Sequence, residues 1–232
     1  MIKIAIWDDM SQCTEEEVKR MMPLVNEQRR QQAAKYKHLF GQYCCLRSWL
    51  MLRNLLGHAP NEWRYNEHGK PFLVGEDTTT YFSISHCREA IAVVIADQEV
   101  GIDIESIRAA KSDLVTRVMN EAEQTQIYQS ADPNRTFTRL WTQKEAIVKW
   151  QGIGIQGMEK MSDVRCQMLD VRCTMYDVRC TMYDVRCTKD DVRCGMSDVR
   201  CGMSDVGCET IEKEKYIYTI IYGKLHCISA EI

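Results

Sequence analysis

An α+β fold is predicted by three features of the chain. Apolar stretches too short for helices alternate with longer segments of helical period, and turn residues separate them at irregular intervals. Residues 1–7 alternate like a strand, and Thr14 followed by Glu17 predicts a capped helix over 18–24. Residues 29–56 predict one long helix, with Leu39, Leu46, Leu50 and Leu55 among its apolar positions and Gly57 at its end. Residues 79–84 and 90–96 read as strands. The second is joined through Asp97-Gln98-Glu99 to 100–105, which predicts a hairpin. Residues 111–129 are helical in pattern, Pro133 is expected to break that helix, and 137–150 form another. Residues 216–222 and 225–232, on either side of Gly223, predict a closing hairpin.

Composition narrows the class of protein. Of 232 residues, 45% are hydrophobic and 27% charged, which excludes a disordered, collagen-like or mucin-like chain. A formal charge of −3 lacks the global basic footprint of a nucleic-acid binder, so no nucleic-acid partner is expected. The longest purely apolar run, 90–96, is too short to cross a bilayer, and the N-terminus turns acidic where a signal peptide would be apolar. A cytoplasmic protein without a membrane partner is the expectation. Of the 12 cysteines, seven recur at seven-residue intervals in one block. Cys13, Cys44, Cys45, Cys87 and Cys227 show no paired-ligand spacing, so reduced thiols rather than a zinc site are expected.

That block is a tandem repeat. Seven near-identical seven-residue units fill 163–211, and their fidelity points to duplication of a short coding segment. Met168, Met175 and Met182 alternate with Val171, Val178 and Val185 as an a/d seam would, whereas Val, Cys and Met alternate within each unit as in a strand. Helix, irregular strand and disorder all remain open. Functionally, a neutral insertion in a surface loop stands beside a coiled-coil contact or a thiol ladder.

Three clusters carry chemistry. In Gly101-Ile102-Asp103-Ile104-Glu105, a strand puts Asp103 and Glu105 on one face and the isoleucines on the other. Two carboxylates on one face suit a hard cation such as magnesium, although a half-buried strand with an acidic solvent face has the same pattern. In the segment 141–149, a helix aligns Trp141, Glu145 and Lys149. Glu145 can complete a carboxylate site and Lys149 can meet a phosphate, but Glu before Lys at this spacing is also an ordinary surface ion pair. The third cluster, Phe82-Ser83-Ile84-Ser85-His86 with Gly69-Lys70-Pro71 upstream, offers His86, Lys70 and Ser85 to a phosphate. A hydrogen-bonded structural histidine and a plain turn lysine would look the same.

In this order and spacing the clusters form a long fingerprint. It resembles the 4′-phosphopantetheinyl transferases, in particular the pseudo-dimeric type that activates surfactin synthetase; the resemblance is strong over 35–154 and looser at both ends. It implies two similar α/β subdomains related by a pseudo-twofold axis, with coenzyme A in the cleft between them. The subdomains would span 1–98 and 99–162 plus 209–232, with the repeat inserted at 163–208. Asp103, Glu105 and Glu145 resemble the family's magnesium ligands. Lys144 and Lys149 fall at its motif lysines, with Lys149 placed at the pyrophosphate. Lys70, Ser85 and His86 match positions that hold coenzyme A, and Arg47 matches an arginine that binds the nucleotide phosphates, with Lys35 and Lys37 as helpers. Cys87 departs from the small hydroxyl residue frequent after the Ser-His pair.

The resemblance further implies the activity. A serine of an apo acyl or peptidyl carrier protein would attack the β-phosphate of coenzyme A and release 3′,5′-ADP. Glu145 would be the general base and Lys149 would stabilise charge, the enzyme acting as a monomer. A non-catalytic scaffold using the repeat as a coiled coil is the rival reading, and carrier-protein modification separates the two.

Overall fold

A computed structural model describes residues 1–60, 62–75, 79–154 and 206–223; most of the repeat, and residues 224–232, lie outside them. Mixed helix and sheet content is observed, as the alternation of short apolar runs and helical segments requires.

The first sheet is antiparallel. It comprises β1 (Ile2–Trp7), β4 (Tyr81–His86) and β5 (Ile91–Ala96), in the order β1-β5-β4. The second comprises β6 (Val100–Ser106), β7 (Gly207–Glu212) and β8 (Tyr216–Tyr222), in the order β6-β8-β7. A separate hairpin pairs β2 (Glu62–Tyr65) with β3 (Pro71–Val74).

Every residue of β5 is buried because both of its faces are covered. Ile91, Val93 and Ile95 enter the core beneath α3 (Leu39–Leu56), alongside Leu46, Trp49 and Phe82. Ala92, Val94 and Ala96 point the other way, against Val100, Ile102 and Ile104 of β6. The far face of the second sheet carries α6 (Pro133–Gln151), whose Ala146, Ile147 and Trp150 pack with Ile221. The layers therefore run helix, sheet, sheet, helix. Each fully buried isoleucine at the sheet interface contributes about 1.5–3 kcal/mol relative to exposure.

Several expected elements are corrected. β5 and β6 are not a hairpin. Two apolar faces on β5 need two covering layers, so after Asp97-Gln98-Glu99 the chain crosses into the second sheet. The stretch 29–56 divides into α2 (Glu27–Ala34) and α3, because Gln42 Nε2 holds the Tyr36 carbonyl at 2.9 Å and Asn26 caps α2 separately. The stretch 111–129 divides into α4 (Ser112–Val118) and α5 (Glu121–Gln129). Asn120 and Glu123 form a reciprocal capping box that starts the second helix. Pro133 begins α6 rather than ending a helix: its missing N–H falls where none is needed, and Asp132 accepts from Arg135 N at 3.0 Å. The box at Thr14 is half-formed at the start of α1 (Glu15–Met21). Thr14 accepts from Glu17 N, while the Glu17 carboxylate turns to Arg20 and Arg47.

The closing hairpin is also different. β8 is the central strand, paired with β6 on one side and β7 on the other, so its hairpin partner is Gly207–Glu212. Residues 225–232 lie outside the described residues. The seventh repeat unit, 205–211, thus contributes a strand. It differs from the unit before it at Gly207, Glu209, Thr210 and Ile211. A Cβ on Gly207 would lie 2.2 Å from the Tyr222 ring. Glu209 accepts from the Tyr222 hydroxyl at 3.2 Å. Thr210 joins Thr219 and Gln143 through hydrogen bonds of 3.0 and 3.1 Å, and Ile211 packs against the inter-sheet core.

Candidate active site

The site is built where α6 lies on β6. A Cβ on Gly101 would come within 2.2 Å of the Ala146 carbonyl and 2.3 Å of the Trp150 nitrogen, so only glycine lets the helix backbone approach the strand this closely. Strand alternation puts Asp103 and Glu105 on the same face as Gly101, beneath the helix rather than in open solvent. Helical spacing brings Trp141, Glu145 and Lys149 down onto them. Trp141 Nε1 donates to Glu105 at 3.2 Å, and Lys149 Nζ lies 2.6 Å from Asp103 Oδ1.

Ser85, at the end of β4, closes the group. Its hydroxyl donates to Asp103 Oδ1 at 2.8 Å, and Lys149 donates to the same hydroxyl at 2.8 Å. Ser83 accepts from Ile102 N at 3.1 Å, so the two serines fasten β4 to β6. Asp103 is 3% exposed, and its Oδ2 is buried without a hydrogen-bond partner. Burial pushes the Glu105 and Glu145 carboxyls above the ordinary carboxylate range. Arg108 opposes this at Glu105, while the Asp103 charge reinforces it at both. Among the described residues, no three His, Cys, Asp or Glu side chains converge as a closed metal centre. Lys149, not a third carboxylate, is the partner of Asp103 here. The free thiols include Cys13, Cys44, Cys45 and Cys87; burial, first of all, pushes Cys44 up to about 12.

A cleft of about 520 Å³ opens beside this group, with Lys70, Ser83, Glu145 and Lys149 in its walls. The remaining sequence candidates are distributed unevenly. Lys70 Nζ is bound to Glu99 at 2.7 Å and to the Trp150 carbonyl at 2.8 Å. His86 lies on the opposite face of β4 from Ser85, edge-on to Phe40 with centroids 5.8 Å apart. Arg47 pairs with Glu17 at 2.6 Å and stacks over Trp7 at 4.0 Å. Lys144 is not brought to the carboxylates: its ammonium meets the buried Glu123 at 2.7 Å and the Val118 carbonyl at 2.8 Å. Lys35 and Lys37 flank the turn between α2 and α3.

The 4′-phosphopantetheinyl transferase superfamily profile matches residues 99–191, the stretch that carries β6 and α6. Over this stretch the chain is similar to that superfamily. Phosphopantetheinyl transferase sequences are also similar to the chain. AcpT of Salmonella typhi is 40% identical over 115 residues, covering 45% of this chain and 58% of that protein. AcpT of Escherichia coli K12 is 37% identical over 113 residues, covering 45% and 57%. Sfp of Bacillus subtilis strain 168 is 23% identical over 150 residues, covering 61% and 66%. The chain thus spans under two thirds of these relatives' length.

Asn66 and Arg108 lie beside the site without standing in any of the three motif clusters. Asn66 accepts from the His68 and Lys70 backbone amides at 3.0 and 2.8 Å, an Asx-type turn legible in Asn66-Glu67-His68-Gly69. Arg108 lies over Trp141 at 4.7 Å, three residues beyond Glu105, a spacing that carries no helical signal on its own.

Proposed function

We propose that the protein transfers 4′-phosphopantetheine from coenzyme A to a serine of an apo acyl or peptidyl carrier protein. The observation that carries this is the meeting of Asp103, Glu105 and Lys149 under α6, beside Glu145 and the cleft, within the superfamily-matched stretch. The relatives AcpT and Sfp bear the name of that activity. Coenzyme A would lie in the cleft. Each flanking unit has a three-stranded antiparallel sheet and one long helix, α3 or α6, which supports the pseudo-twofold reading.

In this reading the serine oxygen forms a bond to the β-phosphorus of coenzyme A as the pyrophosphate P–O bond breaks. The 3′,5′-ADP leaves with the bonding electrons, and the serine proton passes to Glu145. Glu145 stands in the wall of the cleft, where a bound substrate's hydroxyl can reach it. Lys149 exchanges Asp103 for the pyrophosphate oxygens, and Ser85 donates within the same reach. His86 and Arg47 serve the nucleotide end.

Magnesium suits these donor types, and Asp103, Glu105 and Glu145 would have to draw together to share it, since they do not converge on one point in the structure. Asp103 Oδ2 is an unpartnered buried oxygen, and Glu105 and Glu145 are carboxylates that feel its charge. Asp103, Glu105 and Glu145 would hold the ion, which would supply positive charge to the splitting pyrophosphate. We further read the protein as a cytoplasmic monomer. The test is mass spectrometry of a panel of apo-carrier proteins incubated with protein, coenzyme A and magnesium. A phosphopantetheine mass gain on at least one carrier is expected, and none on any carrier overturns the reading.

A further inference from the structure

Lys70 and Asn66 do something that the phosphate-binding reading of the Gly-Lys-Pro turn does not include. Four hydrogen bonds close into a ring. The Lys70 ammonium donates to the Glu99 carboxylate at 2.7 Å, and the Glu99 carbonyl accepts from Gly223 N at 3.1 Å. The Gly223 carbonyl accepts from the Trp150 indole at 3.1 Å, and the Trp150 carbonyl accepts from Lys70 at 2.8 Å. Two residues beyond Trp150, the Gly152 carbonyl accepts from the Asn66 side-chain amide at 2.9 Å. Trp150 and Gly152 sit at the C-terminus of α6, where the last carbonyls lack partners inside the helix and a cation is favoured.

The backbone is shaped for this docking. Gly152 and Gly154 have φ of +70° and +68°. A Cβ at Gly152 would come 2.9 Å from Lys70 Cδ, and one at Gly154 would come 3.0 Å from the His68 carbonyl. Lys149 is one residue before Trp150, and Glu145 is about one turn further back along the helix. The turn over 66–70 therefore holds the end of the helix that carries both of them, and forms a wall of the cleft.

We infer that Asn66, with Lys70, is a positioning residue that clamps the cleft wall to the C-terminus of α6. This rests on the reading of the cleft as the coenzyme A site. Lys70 is committed to the clamp, so its part in binding the substrate is to keep the wall in place. Asn66 is exposed, which makes it the position to test without disturbing the core.

Asn66→Asp keeps the oxygen that accepts from His68 and Lys70 but replaces the donor to Gly152; Asn66→Ala removes both. Hydrogen exchange of the full-length protein, followed over residues 146–154, should speed up by about tenfold in both variants while the global unfolding midpoint stays near wild type. In steady-state transfer, KM for coenzyme A should rise by about tenfold, with kcat within about threefold. Unchanged exchange overturns the clamp, and faster exchange with an unchanged KM overturns the positioning role. Absence of turnover in the wild-type protein overturns the coenzyme A reading instead, and the exchange measurement then decides the clamp alone.

Discussion

Lys149 on α6 and Asp103 on β6 meet at 2.6 Å, yet they are buried to different degrees, with side-chain exposures of 30% and 4%. The two partners are therefore not equivalent. Lys149→Met strands a carboxylate that water cannot reach, whereas Asp103→Asn leaves an ammonium that turns out to solvent. We expect Lys149→Met to cost about 1–3 kcal/mol of stability and Asp103→Asn clearly less. Urea unfolding of the two variants checks this, and equal losses would contradict the asymmetry.

Catalysis should follow a different order from stability. Asp103→Ala and Glu145→Ala are expected to lower carrier-protein modification by at least about a hundredfold at saturating magnesium. Glu105→Gln should be milder, because the amide oxygen still accepts from Trp141 and a water can take its place on a magnesium ion. Chelation should abolish transfer, and added magnesium should restore it. Near-wild-type rates in Asp103→Ala and Glu145→Ala together would remove the carboxylates from the mechanism.

Arg47 and His86 are both proposed to serve the nucleotide end of coenzyme A, but the fold uses only one of them heavily. Arg47 ties α3 to α1 through Glu17 and covers the Trp7 ring, and its Nε is buried without a partner. His86 makes an edge contact with Phe40. Both alanine variants should raise KM for coenzyme A more than they lower kcat. Only Arg47→Ala should also lose stability, by about 1–2 kcal/mol, from the half-buried Glu17 pair and the cation–π contact. Steady-state kinetics beside thermal unfolding tests both statements, and an unchanged KM in His86→Ala would remove it from the site.

The carboxylate face of β6 and the helix that covers it were legible because both rest on periodicity. Gly101, Asp103 and Glu105 share a strand face, and Trp141, Glu145 and Lys149 share a helix stripe, before any tertiary contact is known. What periodicity cannot supply is the choice between partners. Lys149 takes Asp103 rather than Glu145 four residues before it, and Lys144 turns to Glu123, because burial decides which pair is worth forming. The sheet assignment of 90–96 and 100–105 failed for a related reason. A continuous apolar run signals two covered faces, and the hairpin reading accounted for only one.

The last unit of the repeat should behave unlike the others. Units one to six carry arginine where the seventh carries Gly207, and the six earlier units contain no residue of the carboxylate group. A side chain at 207 would enter the Tyr222 ring, so Gly207→Arg, which restores the repeat's own consensus, has to push Tyr222 away or break the β7–β8 ladder. We expect that single change to cost about 2–4 kcal/mol, in the range of overpacking a filled site or worse. Deletion of residues 170–204 keeps Gly207–Glu212 and alters loop-closure entropy by only about 1–2 kcal/mol. It should therefore leave transfer within a few-fold of wild type, whereas extending the deletion through 211 removes one of the two strands that β8 pairs with, leaves β8 an uncovered edge and should prevent folding. Thermal unfolding and carrier-protein modification of the three variants test the order. A stable, active protein after the longer deletion, or loss of activity after the shorter one, would show that the boundary between dispensable repeat and structural strand lies elsewhere.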